Sequence, residues 1–311
     1  MGKSLIRNPL GLGLWLVLIV PGPVYAADGV LEINQACAAN SGCFPGDGAG
    51  FPVRISASGS YVLTSNLTLS SANDTAINIV SDYVTVDLNG FEIAGVNVCS
   101  GGPPPTCSPN GAGSGISSNN DGILVRNGTI RGMGDHGIFL GNTNFRARVE
   151  NMRVTGNRRG MQVNGAVINS LVVFHEEWGV LSAREVRDCT VEDNGGTGIA
   201  VTTGEACLVS GNLVQRNGGD AGIFITGAGS RCVVRDNIVK ENAAFGITAG
   251  QRSVVLANTI TGHPSFGLSI TFGGYGQNVI RDNNGGNANP QVTGDGLEIG
   301  TNVCGNDTTC P

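Results

Sequence analysis

Lysine is almost missing: Lys3 and Lys240 are the only two in 311 residues, so nearly every positive charge is an arginine. Charged residues make up only 14%, aromatics 5%, and the formal net charge is −6. An acidic chain with no Lys/Arg run is a poor partner for nucleic acid or an anionic membrane, and neither is expected. Past the N-terminus no apolar run is long enough to span a bilayer, so no membrane span is expected. There is no Cys-x-x-Cys and no histidine beside a cysteine, which argues against zinc. The glycine-rich stretch at 196–204 is not followed by Gly-Lys-Ser/Thr, so it is no phosphate loop.

What the chain has in excess is glycine, 50 residues without a three-residue period. The glycines recur with Asn and Asp between short apolar segments, the composition of many tight turns joining short strands. At the N-terminus Lys3 and Arg7 precede an apolar core at 10–20, a Pro21-Gly22-Pro23 break and a Val24-Tyr25-Ala26 cleavage pattern. Residues 1–26 therefore read as a signal peptide, and the protein is expected to be secreted or periplasmic. In an exported chain the close pairs Cys37/Cys43, Cys99/Cys107 and Cys304/Cys310 read as disulfides.

From residue 125 one pattern returns every 18 to 25 residues: apolar, a few polar residues often including Asn, apolar, a polar loop, then Gly and apolar-x-apolar. VRNGTIRGMGDHGIFL from Val125, VRDCTVEDNGGTGIAV from Val186 and VRDNIVKENAAFGI from Val234 are three of the units, and Ile280-Arg281-Asp282-Asn283 opens a degenerate last one. Strands this short are stable only when stacked, coil on coil, in parallel register about 4.8 Å apart. Ile130, Val154, Val172, Val191, Val214, Val239 and Ile260 then form one core column. Ile138, Met161, Val180, Ile199, Ile223, Ile247 and Leu268 form another. The glycines just before the second column fit a bend with positive φ or a close backbone approach. Asn212, Asn237, Asn258 and Asn283 are expected to stack as an internal amide ladder. Cys207 and Cys232 fall in one column of adjacent coils, which predicts a bond or at least a close stack, with Cys189 left free and buried.

The fold expected is all-β, a right-handed parallel β-helix with disulfide-stapled caps at both ends. Its parts are a cap with the first strands (27–80), the coils (81–285, with a protruding loop at 96–115) and a C-terminal cap (286–311). The stretch YVLTSNLTLSSANDTAINIVSDYVTVDLNGFEIAG, followed by Asn-Gly and Gly-Ile repeats, resembles bacterial right-handed β-helix proteins of the pectin-lyase-like superfamily. The resemblance covers roughly residues 53–285. It implies a relative of polysaccharide lyases, glycoside hydrolases, epimerases and non-catalytic surface proteins, without choosing among them.

Chemistry is expected in the loops before the Gly-apolar column. Three successive loops hold Asp135-His136, Arg158-Arg159 and His175-Glu176-Glu177-Trp178, and the later loops are small or apolar. As a catalytic set, His136, Arg159 and Glu177 would move protons and offset a substrate carboxylate. As substrate-binding residues, Asp135, Arg158, His175, Glu176 and Trp178 would hold a glycan, the indole stacking on a pyranose. No metal site is marked; calcium is the one candidate cofactor, with Glu176, Glu177 and Asp193 as conceivable ligands. The resemblance brings no intact catalytic signature: paired aspartates of polygalacturonases and the Asp-Pro-His of alginate epimerases are absent. The expectation is a monomer that binds an extracellular or cell-surface polysaccharide on one lateral face. The alternatives are a lyase, hydrolase or epimerase acting on a uronate glycan, or a structural surface protein.

Overall fold

The computed structural model describes residues 29–141, 146–182, 184–202, 206–227, 229–308 and 310. The expected signal peptide lies outside the described residues. The chain winds as a right-handed parallel β-helix, and the described residues place 21 strands in one sheet, 11 in a second and two in a separate hairpin. The four expected cysteine pairs are disulfides, Cys207–Cys232 with a Cα separation of 4.3 Å, and Cys189 is free and buried.

One coil shows how the sequence makes the fold. Strands Leu208–Ser210, Leu213–Gln215 and Ala221–Ile225 carry Val209, Val214 and Ile223 into the core, all fully buried. Between the first two strands Gly211 takes φ +67°, and after the second Arg216 takes φ +52°. Each left-handed residue turns the chain through one corner and is followed at once by an inward-pointing asparagine, Asn212 or Asn217. The rule is apolar, any, left-handed, asparagine, and it occurs twice per coil. Asn, Asp, Arg, Glu, Gln, Ala and Phe all fill the left-handed position, at Asn127, Asp188, Arg216, Glu241, Gln277, Ala257 and Phe174 among others. Each non-glycine residue held there costs about 1–3 kcal/mol and persists because the hydrogen-bonded amide behind it fixes the corner.

There are accordingly two ladders, not one. In the first, backbone N–H groups of Asn212, Asn237, Asn258 and Asn278 donate to the next amide oxygen at 2.9–3.0 Å, ending on Asn302. In the second, Asn194, Asn217 and Asn242 repeat the arrangement and His263, Asn283 and Gln291 extend it. Asn283 therefore belongs to the second ladder, and Asn278 takes the place expected for it. The reason is the doubled signature: Ile280-Arg281-Asp282-Asn283 copies Val234-Arg235-Asp236-Asn237 but pairs with the second strand of the coil before, Ile280 opposite Ile260. Cys189 is itself a first-ladder residue, its N–H donating to Asn212 Oδ1 at 2.9 Å. Burial pushes its thiol up to about 11, so it packs as a small apolar group.

The glycines at 137, 160, 179, 198, 222, 246 and 267 are required by contact, not by φ. A Cβ on any of them would overlap a backbone or core atom of the neighbouring coil, and none lies in the left-handed region. The 96–115 segment does not protrude. Its hairpin, Val98–Ser100 with Thr106–Ser108, lies back along the corner loops, where Asn97 Nδ2 donates to Met133 O at 3.0 Å. Its Pro104 reaches as far as Gly195. At the N-terminal end the short helix Gln35–Asn40, tied by Cys37–Cys43, buries Ala38 against the first coil. Regular strands continue past residue 285, as Val292–Gly294, Leu297–Glu298 and Val303–Cys304.

Candidate functional site

The third strand of each coil begins at one corner of the solenoid, and His136, Arg159 and Trp178 occupy equivalent places in three successive coils. His136 pairs directly with Arg159, and Met161 with Val180 keeps Trp178 in step. The three groups lie close together along the axis, the His136 ring tilted against the indole. The Arg159 guanidinium carbon lies 4.8 Å from the Trp178 ring centroid, and the His136 and Trp178 rings are 6.2 Å apart.

The charges around these groups answer one another. Glu177 accepts from Arg158 Nε at 3.0 Å and Arg159 Nε at 2.7 Å. Asp135 accepts from Arg159 Nη1 at 2.9 Å and from His136 Nδ1 at 3.0 Å. Burial opposes ionisation of Asp135, but the His136 hydrogen bond and the arginine charges outweigh it and hold the carboxyl below its usual range. Arg159 is likewise held above its ordinary value: burial disfavours its charge, and its bonds to Glu177 and Asp135 outweigh that. Glu176 lies outside this network and accepts from Asn110 Nδ2 of the hairpin segment at 2.7 Å.

Beyond Trp178 the row stops. The next loop is Gly195-Gly196-Thr197, and with Leu181, Ala200 and Thr202 it floors an open groove of about 460 Å³. Trp178, Glu176 and Glu177 form its wall. Arg159 backs the indole from the preceding coil, and Trp178 lines the groove. Gly195, Gly196 and Thr197 were visible in the sequence as a small-residue loop, but nothing there says that smallness makes a floor. The signal is that they follow the tryptophan by one coil.

The structure brings Asp135, His136, Arg158, Arg159, Glu176, Glu177 and Trp178 together, but not His175. That ring is fully buried in the second ladder, its Nδ1 accepting from Asn157 N at 3.2 Å and its Nε2 donating to Val154 O at 3.1 Å. It occupies an asparagine place because a neutral imidazole also offers one donor and one acceptor. His136 is 7% exposed, covered by Phe139 and Trp178, and its Nε2 has no hydrogen-bond partner among the described residues. The conceivable calcium ligands are held elsewhere, Glu177 by two arginines, Glu176 by Asn110 and Asp193 by Arg216 at 2.7 Å. Those residues do not fit a cation.

Burial drives the His175 pKa down from 6.5 to about 4, with its backbone hydrogen bonds opposing in part, and burial lowers His263 to about 4 as well. Between those values the unfolded chain takes up protons that the folded chain refuses. Their contribution to stability is therefore complete above about pH 6.5 and is lost as pH falls toward 4. Urea titrations should show a loss of about 3 kcal/mol per histidine over that window. His175→Asn, which keeps an amide in the ladder, should remove its share. A stability independent of pH across the window would contradict the neutral-ladder assignment.

A family model described as a right handed beta helix region matches residues 53–217 and 114–285. No curated protein matches the sequence. Among solved structures the chain is similar to the A-module of the Azotobacter vinelandii mannuronan C-5 epimerase AlgE4, at 14% identity and a TM-score of 0.52 over 76% of this chain and 72% of that one. It is also similar to the Dettilon tailspike protein gp208, at 12% identity and a TM-score of 0.49 over 85% of this chain and 55% of the tailspike. The periplasmic alginate epimerase AlgG aligns at 10% identity and a TM-score of 0.45 over 88% of this chain and 72% of that one. At these identities the likeness is one of fold.

Proposed function

The chain belongs to the right-handed β-helix family, and on that premise we propose that it binds an extracellular or cell-surface polysaccharide in the groove beside Trp178, without cleaving it. The observation that carries the proposal is the indole itself: it is backed by the Arg159 guanidinium and lines a groove together with Gly195, Gly196, Thr197 and Ala200. A flat apolar surface beside hydroxyls and carboxylates suits a pyranose, whose C–H face stacks on the ring while its hydroxyls meet Thr197, Thr202 and Glu176.

Binding is favoured over catalysis by how the polar groups are occupied. The expected proton carrier, His136, is covered by Trp178, and its Nδ1 is bonded to Asp135. Arg158 and Arg159 spend their charge on Glu177 and Asp135. These groups brace the tryptophan from behind. Disulfides in both caps suit a secreted or periplasmic site of action.

Calorimetric titration with a panel of neutral and uronate glycans, mannuronan among them, tests the reading. Trp178→Ala should weaken binding of the recognised glycan at least about tenfold, a loss of roughly 1.4 kcal/mol. Equal affinity in the variant would remove the groove from the account.

A further inference from the structure

A second cluster of charge lies past the other end of the third strand, across roughly 16 Å of sheet from Trp178. Arg146, Arg148 and Arg184 surround a pocket of about 370 Å³ whose floor is Ala147, Gly165 and Ala166. The register explains the hollow. Ala166 pairs with Arg148 of the coil before and Glu185 of the coil after, and Gly165 pairs with Ala147. The middle coil thus offers only Ala166 where its neighbours carry Arg148 and Glu185, and a notch opens between coils about 9.6 Å apart. Gly165 cannot fill it, because a Cβ there would overlap the Ala147 carbonyl.

Most of a chain with 24 acidic residues and 18 basic ones has no reason to gather three arginines around one hollow. The ion pairs of Arg146 and Arg148 lie at the surface, where such pairs are weak. Arg146 Nη1 reaches Asp121 at 3.3 Å with the arginine side chain 64% exposed, and Arg148 meets Glu150 through Nε. The one carboxylate in the lining, Glu185, is answered by Arg187 Nε at 2.9 Å. The geometry points to a binding site for a tetrahedral oxyanion of the sulfate or phosphate class. Arg146 and Arg148 line the notch from the coil before and Arg184 from the coil after. A tetrahedral anion presents oxygens to both, whereas a carboxylate presents its pair in one plane toward one side. The site shares no residue with the tryptophan groove.

Sodium sulfate titrated into the full-length protein at low ionic strength, against sodium chloride at matched ionic strength, tests the assignment by calorimetry and by Tm. Sulfate should bind and raise Tm where chloride does not. Arg148→Gln, and Ala166→Glu, which sets a carboxylate in the notch, should each weaken sulfate binding about tenfold, while Trp178→Ala leaves it unchanged. Should Ala166→Glu not fold, Arg148→Gln, at an exposed position, still decides. Equal responses to sulfate and chloride, or wild-type affinity in Arg148→Gln, overturn the proposal. Dextran sulfate and uncharged dextran separate the sources: tighter binding of the sulfated polymer, lost in Arg148→Gln, assigns the group to a polymer, and equal binding assigns it to the free ion.

Discussion

Asn237→Ala is expected to cost about 4 kcal/mol, a large share of the stability of an ordinary domain. Asn237 is 1% exposed, and its side chain closes four hydrogen bonds. Its Oδ1 accepts from the Asn212 backbone N–H at 3.0 Å and from Asn212 Nδ2 at 2.9 Å. Its Nδ2 donates to Val209 O at 3.0 Å and to Asn258 Oδ1 at 2.9 Å. Alanine deletes all four and leaves buried polar atoms on both neighbouring coils, each costing about 1–3 kcal/mol when stranded, less what relaxation recovers. Ile238, the next residue, is 49% exposed, and Ile238→Ala should stay within about 0.5 kcal/mol. Urea unfolding of the two variants side by side checks this. Comparable small losses in both would mean that the ladder is not what holds the corner.

Gly160→Ala is expected to do as much damage with a single methyl group. The added Cβ would overlap the Gly179 carbonyl oxygen and stand 2.9 Å from His175 Cδ2. That oxygen cannot swing aside, because it accepts from Met161 N at 2.8 Å, while Gly160 N donates to Trp178 O at 3.0 Å. Relief therefore means parting two coils beneath the tryptophan. A cost of about 3 kcal/mol or more follows, at the upper end for overpacking, together with weakened glycan binding. Gly102→Ala, in the hairpin and with open space around its Cβ, should be neutral. Thermal unfolding of both variants decides, and a Gly160→Ala protein as stable as wild type would refute the close-contact explanation of that glycine column.

These two positions also show where the sequence is transparent and where it is not. Apolar columns are legible because every coil must repeat them: Val209 and Val234 pair in register, and both are fully buried. The same repetition places Cys207 over Cys232. Asn278 was hidden because each coil says nearly the same thing twice, and the phase of the doubled signature is set by backbone pairing. His175 was opaque for a different reason. Imidazole can replace an amide in a ladder, but the residue type more often marks proton chemistry, so position alone could not sort the ladder from the site. In the candidate site, the acidic and basic partners were visible as a cluster. Their mutual pairing was not, because whether Arg159 faces a ligand or Glu177 depends on rotamers fixed only by packing against Trp178. The hairpin looked like a protrusion since proline-rich insertions usually are, and only its contacts at Met133 and Gly195 reveal that it is folded back.

The central claim is that the Trp178 face holds a glycan and leaves it whole. The protein incubated with each glycan of the panel, with and without calcium, and followed by mass spectrometry of product size and uronate configuration, tests it most directly. Glycans retained in a Trp178-dependent way, with chain length and configuration unchanged, are the predicted result. New oligosaccharides or inverted uronates that disappear in Arg159→Ala would contradict it and make the braced cluster a catalytic one.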